Sequence, residues 1–93
     1  MRLSERRLLR INGELERLRR EEHLVEGELE MHRHLADDAV RDAAVYEGLD
    51  RAEARDAVKD VRRQERALES TRRAIARAES RRAALLRRLD ASR

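Results

Sequence analysis

The chain has no cysteine, proline, tryptophan or phenylalanine, and Tyr46 is its single aromatic residue. Without cysteine there are no disulfides, no thiolate nucleophile and no Cys-ligated zinc. Without proline, nothing in the chain forces a helix to stop by removing a backbone donor. The near-absence of aromatics takes away the stacking platforms that hold single-stranded nucleic acids, and much of the bulk on which a globular core depends. Long apolar runs are also missing: no segment approaches the roughly 18 residues that span a bilayer. Met1-Arg2-Leu3-Ser4-Glu5-Arg6 is not followed by the apolar stretch of a signal peptide. These absences predict a cytoplasmic protein with no membrane association.

What remains is helix-forming material. The 93 residues include 14 Ala, 13 Leu, 22 Arg and 13 Glu, all strong helix formers, and 46% of the chain is charged. So short a chain makes at most one small domain, and with this composition it leaves little room for an enclosed enzyme pocket. The ratio of 22 arginines to one lysine, beside abundant alanine, is the mark of GC-rich coding and points to a bacterial source.

Hydrophobic spacing decides between disorder and coiled coil. In the first half, steps of three and four residues join Leu8, Ile11, Leu15, Leu18, Glu22, Val25, Leu29, His32, Ala36, Ala39, Ala43 and Tyr46 into one seam. In the second half the same stepping gives Ala54, Val58, Val61, Glu65, Leu68, Arg72, Ile75, Glu79, Arg82, Leu86 and Leu89, a seam with more polar intrusions. Between them, Gly48 can end a helix in the left-handed conformation, and Asp50 followed by Glu53 has capping-box spacing for the next. Asp37-Asp38 offers an alternative break. The expected fold is all-α: an antiparallel two-helix coiled-coil hairpin, with helix 1 at about 3–47, a turn at 48–50 and helix 2 at about 51–91.

Folding back at Gly48 brings together positions whose numbers sum to about 97. This pairs Ala43 with Ala54, Ala39 with Val58, Ala36 with Val61, Leu29 with Leu68, and His32 with Glu65, the last as an ion pair across the seam. It also sets Leu15 and Leu18 against Arg82 and Glu79, which assigns these leucines to another surface. Leu9, Leu24, Met31, Leu35, Val40 and Leu85 lie off the seam as well. The expectation is a partner-binding apolar face of Leu15, Leu18, Leu24, Met31 and Leu35, covered by homodimerisation into a four-helix bundle or by another protein.

Charge falls in blocks. Residues 1–20 carry seven Arg against three Glu, residues 21–60 five basic against thirteen acidic groups, and residues 61–93 eleven Arg against four acids. A basic patch of Arg62, Arg63, Arg66, Arg73, Arg77, Arg81, Arg87 and Arg88 suits phosphates or an acidic protein surface. An acidic patch of Asp37, Asp38, Asp42, Asp50, Glu53, Asp56 and Asp60 suits a basic partner. His32 and His34 are two residues apart, so a helix points them to different sides, and His23 is nine residues earlier. No Glu-x-x-His pair, phosphate-binding Gly-rich loop or nucleophile elbow is present. No metal, no cofactor and no enzymatic activity are expected.

Two families offer resemblances. Tyr46-Glu47-Gly48 resembles the Trp-x-Gly turn of the small helical hairpins exported by type VII secretion, although the tail Leu89-Asp90-Ala91-Ser92-Arg93 lacks their Tyr-containing signal. Leu3-Ser4-Glu5-Arg6-Arg7-Leu8-Leu9 with Glu14-Leu15, and more loosely Asp50 to Leu68, resemble actinobacterial anti-sigma factors that are helical hairpins responding to cyclic di-GMP. Their nucleotide motif of Glu, Ser, Arg, Gln and Asp is met in the second helix by Glu65, Glu69, Arg72, Ala76 and Ser80, so nucleotide binding is not carried over. This resemblance implies a protein-binding regulatory hairpin, an adaptor or anti-sigma-like inhibitor. The alternative reading is an arginine-rich architectural protein on nucleic acid.

Overall fold

A computed structural model describes residues 2–45 and 49–92, the side chains of residues 49 and 50 excepted. Two helices account for nearly all of it: α1 over Leu3–Val45 and α2 over Leu49–Ala91. Among the described residues there is no strand. The proposed break at Asp37-Asp38 does not occur, because the helical backbone continues through both residues. α2 begins two residues earlier than its sequence signals suggest, which puts Asp50 inside the helix rather than in front of it. Of the turn expected at 48–50, residues 49 and 50 are helical, and Gly48, with Tyr46 and Glu47 before it, lies outside the described residues.

Both outer ends are closed by local hydrogen bonds. At the start of α1 the Arg2 backbone N–H donates to the Glu5 carboxylate at 3.2 Å, the reciprocal half of a capping box. At the end of α2 the Ser92 hydroxyl donates to the carbonyls of Arg88 and Leu89 at 3.0 and 3.1 Å, and the Ser92 backbone N–H donates to the Arg88 carbonyl at 3.1 Å.

The helices pack against each other in two compact units, one of Met1–Glu22 with Ser70–Arg93 and the other of His23–Glu69. In the first, Leu15, Ile75 and Ala78 form a buried cluster with Ile11 and Leu18 packed against it. In the second, Leu29, Ala36, Ala54 and Leu68 are buried. Burying a leucine or isoleucine side chain contributes about 1.5–3 kcal/mol, so these few contacts supply much of the cohesion of each unit.

Every seam residue read for α1 from Leu8 to Ala43 is buried or half-buried. The α2 seam differs from its reading. Glu65, Arg72 and Glu79 are exposed, while Gln64, Thr71, Ala78 and Leu85 turn inward beside Ala54, Ala57, Val61, Leu68, Ile75, Arg82 and Leu89. The corrected α2 seam steps by alternating threes and fours from residue 54 to residue 89, the spacing of an ideal heptad.

The displaced charged residues flank the seam and pair across it. In the first unit Arg81 meets Glu14 at 3.0 Å, Arg19 meets Glu79 at 3.1 Å and Arg72 meets Glu22 at 3.1 Å. Arg82 donates to the Asn12 side-chain carbonyl at 2.8 Å. In the second unit Arg33 meets Glu65 at 4.0 Å. Residue numbers rise along one helix as they fall along the other, so the packing is antiparallel, and all these pairs agree with an alignment sum near 97. Glu65 thus answers Arg33 instead of His32, and the half-buried His32 shares the seam with Gln64 rather than with a carboxylate.

Candidate interaction surfaces

Two surfaces remain once the seam is filled, and the heptad positions explain both. With α1 seam residues as a and d, Leu24 and Met31 fall at c, which faces away from α2, and Leu35 at g, which flanks the seam. Their exposures are 67%, 51% and 54%, so three large apolar side chains lie in water along one strip of α1. Leu15 and Leu18, expected on that face, are instead core residues of the other unit. Leu15 is only 4% exposed, and Leu18 packs against its cluster. The expectation erred because Glu79 was set opposite Leu18, whereas Ala78 occupies the seam and Glu79 swings out to Arg19. Leu85 was likewise taken as off-seam and is buried.

Acidic side chains continue the exposed apolar strip. Glu28 lies between Leu24 and Met31 at helical spacing, and Asp38 and Asp42 extend the row beyond Leu35; all three are exposed. Asp38 also receives Arg41 at 3.5 Å. Of the other predicted acidic residues, Asp37, Glu53 and Asp56 are exposed, and Asp60 holds Arg63 at 3.6 Å. The Asp50 side chain lies outside the described set. The acidic residues all belong to one unit.

The predicted basic patch is divided between the two units. Arg62, Arg63 and Arg66 belong to His23–Glu69, and Arg73, Arg77, Arg81, Arg87 and Arg88 to the other. Within the latter, Arg81 and Arg88 face Arg7 and Arg10 of α1 across a groove of about 420 Å³, floored by Ile11, Ala84 and Leu85, with Glu14 also on its wall and bound to Arg81 at 3.0 Å. Arg7 and Arg10 were missed as site residues. The signal for them was the position of Arg7 and Arg10 beside Leu8 and Ile11, where a rim residue borders the seam. Among the described residues, no hydrogen bond or ion pair engages the side chains of Arg7, Arg10 or Arg88.

Histidines contribute no centre. His34 approaches Glu30 at 3.9 Å along the same helix, and among the described residues no group of three His, Cys, Asp or Glu side chains is arranged to hold a metal ion. No helix among them is long and apolar enough to cross a membrane. By sequence, the segments of the first unit carry fifteen arginines against seven carboxylates, and those of the second carry eight cations against thirteen.

No family model, curated protein sequence or solved structure matches the chain.

Proposed function

We propose that this protein is a non-enzymatic protein–protein interaction module, a small regulatory hairpin that presents one face of α1 to a partner. The supporting observation is the exposed Leu24–Met31–Leu35 strip, which lies outside the seam that α1 forms with α2. Three long apolar side chains at helical spacing make the kind of surface that associates helix to helix, and the acidic row beside it adds selectivity by charge. An adaptor, or an inhibitor of the anti-sigma kind, works through such a face. So does self-association into a four-helix assembly.

The excess of arginine on the other unit favours the second reading, a nucleic-acid-binding architectural protein. Several of those arginines are already committed, Arg19, Arg72 and Arg81 to carboxylates and Arg82 to Asn12, which reduces what is left for phosphates. An affinity capture with the wild type and with a Leu24→Gln/Met31→Gln/Leu35→Gln variant tests the preferred reading. The expected result is one stoichiometric protein, this chain or another, retained by the wild type and lost by the variant. Nucleic acid retained equally by both, and released steeply by salt, would establish the alternative.

A further inference from the structure

We infer that the occupant of the Leu24–Met31–Leu35 face is the arginine-rimmed groove of a second copy of this chain, joined stripe into groove. The inference rests on the reading of that face as a docking surface and names its partner. Both halves of the match are present in one molecule. The groove offers an apolar floor, Ile11 and Leu85, beneath Arg7, Arg10 and Arg88, whose guanidinium groups have no partner among the described residues. The stripe offers three exposed apolar side chains in a row with Glu28, Asp38 and Asp42. Apolar surface thus meets apolar floor, and carboxylates reach a rim of forked donors able to take them bidentately.

Charge selects this mode over like-on-like contacts. Stripe on stripe would set Glu28, Asp38 and Asp42 of one copy against the same carboxylates of the next. Groove on groove would bring Arg7, Arg10 and Arg88 of one copy against the same three arginines of the next, Arg81 being held by Glu14. Only stripe into groove places opposite signs together, and like-charge juxtaposition in a desolvated contact is strongly unfavourable. The neighbouring groove of about 590 Å³ offers less, because its Arg19 and Glu79 already neutralise each other at 3.1 Å. A contact between two different surfaces either closes reciprocally about a two-fold axis, stripe into groove twice, or runs head to tail with one stripe and one groove left free in each joined pair.

Pairing of unlike surfaces has a signature that stripe on stripe or groove on groove lacks. A groove variant, Arg7→Glu/Arg10→Glu/Arg88→Glu, and a stripe variant, Met31→Lys/Leu35→Lys, are each compared with the wild type by sedimentation, after circular dichroism has shown both to be helical. Self-association of the wild type is expected to weaken at least about tenfold between about 50 mM and about 500 mM salt, where screening shortens the reach of the charges. Each variant alone is expected to be monomeric. Mixed in equal amounts they should form a one-to-one complex and nothing larger, because the stripe of the first and the groove of the second are intact. If a variant loses its helical signal, the gentler pair Arg10→Gln/Arg88→Gln and Leu24→Gln/Met31→Gln replaces it, with the same mixing result expected.

A wild type that stays monomeric at low salt overturns the inference. So does a mixture that stays monomeric although the wild type associates, since an intact stripe and an intact groove are then present together and do not join; a single variant that still self-associates overturns it as well. A monomeric wild type whose stripe variant fails to capture a different protein would overturn the inference and leave the interaction-module reading standing.

Discussion

The unit of Met1–Glu22 with Ser70–Arg93 buries Leu15, Ile75 and Ala78 and rims its seam with ion pairs, whereas the unit of His23–Glu69 buries two leucines and the small side chains of Ala36 and Ala54. In the first unit the large apolar side chains of α1 are mostly drawn inward, with Leu3 and Leu9 left outside; in the second, Leu24, Met31, Leu35, Val40 and Val45 all remain outside. The same heptad spacing therefore yields a unit invested in its own seam and a unit whose bulk is turned outward. Outward bulk contributes little to the stability of the hairpin itself.

Substitution at the deepest positions should break this contrast most visibly. Leu15→Ala is expected to destabilise the chain by about 3 kcal/mol, through lost transfer energy and the void left beside Ile75, measured by urea or thermal unfolding. Met31→Ala, an equal deletion in kind on the exposed strip, is expected to change monomer stability by less than about 0.5 kcal/mol. Equal effects at the two positions would erase the distinction between invested and outward side chains.

Overpacking comes next. Ala78 has no exposed surface, so Ala78→Leu must push α1 and α2 apart or force strained rotamers, at an expected cost of about 2 kcal/mol. The two helical glycines should act in the opposite direction and alike in both units. An added Cβ at Gly13 or at Gly27 meets nothing within 4 Å, so Gly13→Ala and Gly27→Ala should each stabilise by about 1 kcal/mol through helix propensity alone. A higher melting temperature for each single variant is the check.

The smallest effect concerns the ion pairs. A double-mutant cycle on Arg19 and Glu79, both more than half exposed, should return a coupling of about 0.5 kcal/mol or less that vanishes in about 1 M salt. A larger coupling would mean that the charged rim, rather than the apolar seam, holds the first unit together.

Much of this contrast was legible before any coordinates. From Leu8 to Ala43 the α1 seam is legible in the spacing, because most of its apolar residues are large and the Arg and Glu around them are charged. The α2 seam was misread where the apolar signal is weak. Beyond Leu68 the walk can step by three to Thr71 or by four to Arg72, and beyond Ile75 by three to Ala78 or by four to Glu79. Small Thr and Ala add little to a hydrophobic pattern, yet they let two helices approach closely, and only the packed structure reveals which neighbour turned inward. The exposed strip followed from spacing alone for Leu24, Met31 and Leu35. The arginine-rimmed groove did not, because it needs two segments some seventy residues apart to be brought face to face.

The regularity of the two seams has a consequence for how the hairpin finds its alignment. Because both step in unbroken threes and fours, sliding one helix past the other by seven residues would return apolar positions to the interface almost everywhere, and burial alone distinguishes such slipped forms poorly. The polar residues in and beside the seam are what a slip would misplace. Arg82 would leave Asn12 and arrive at Glu5 or Arg19, and Arg72 would leave Glu22. These few contacts, each weak as a source of stability, serve as index marks on an otherwise repeating ruler. Replacing Asn12 and Arg82 together by leucine would produce a chain that packs as tightly and no longer knows which of its alignments is the correct one.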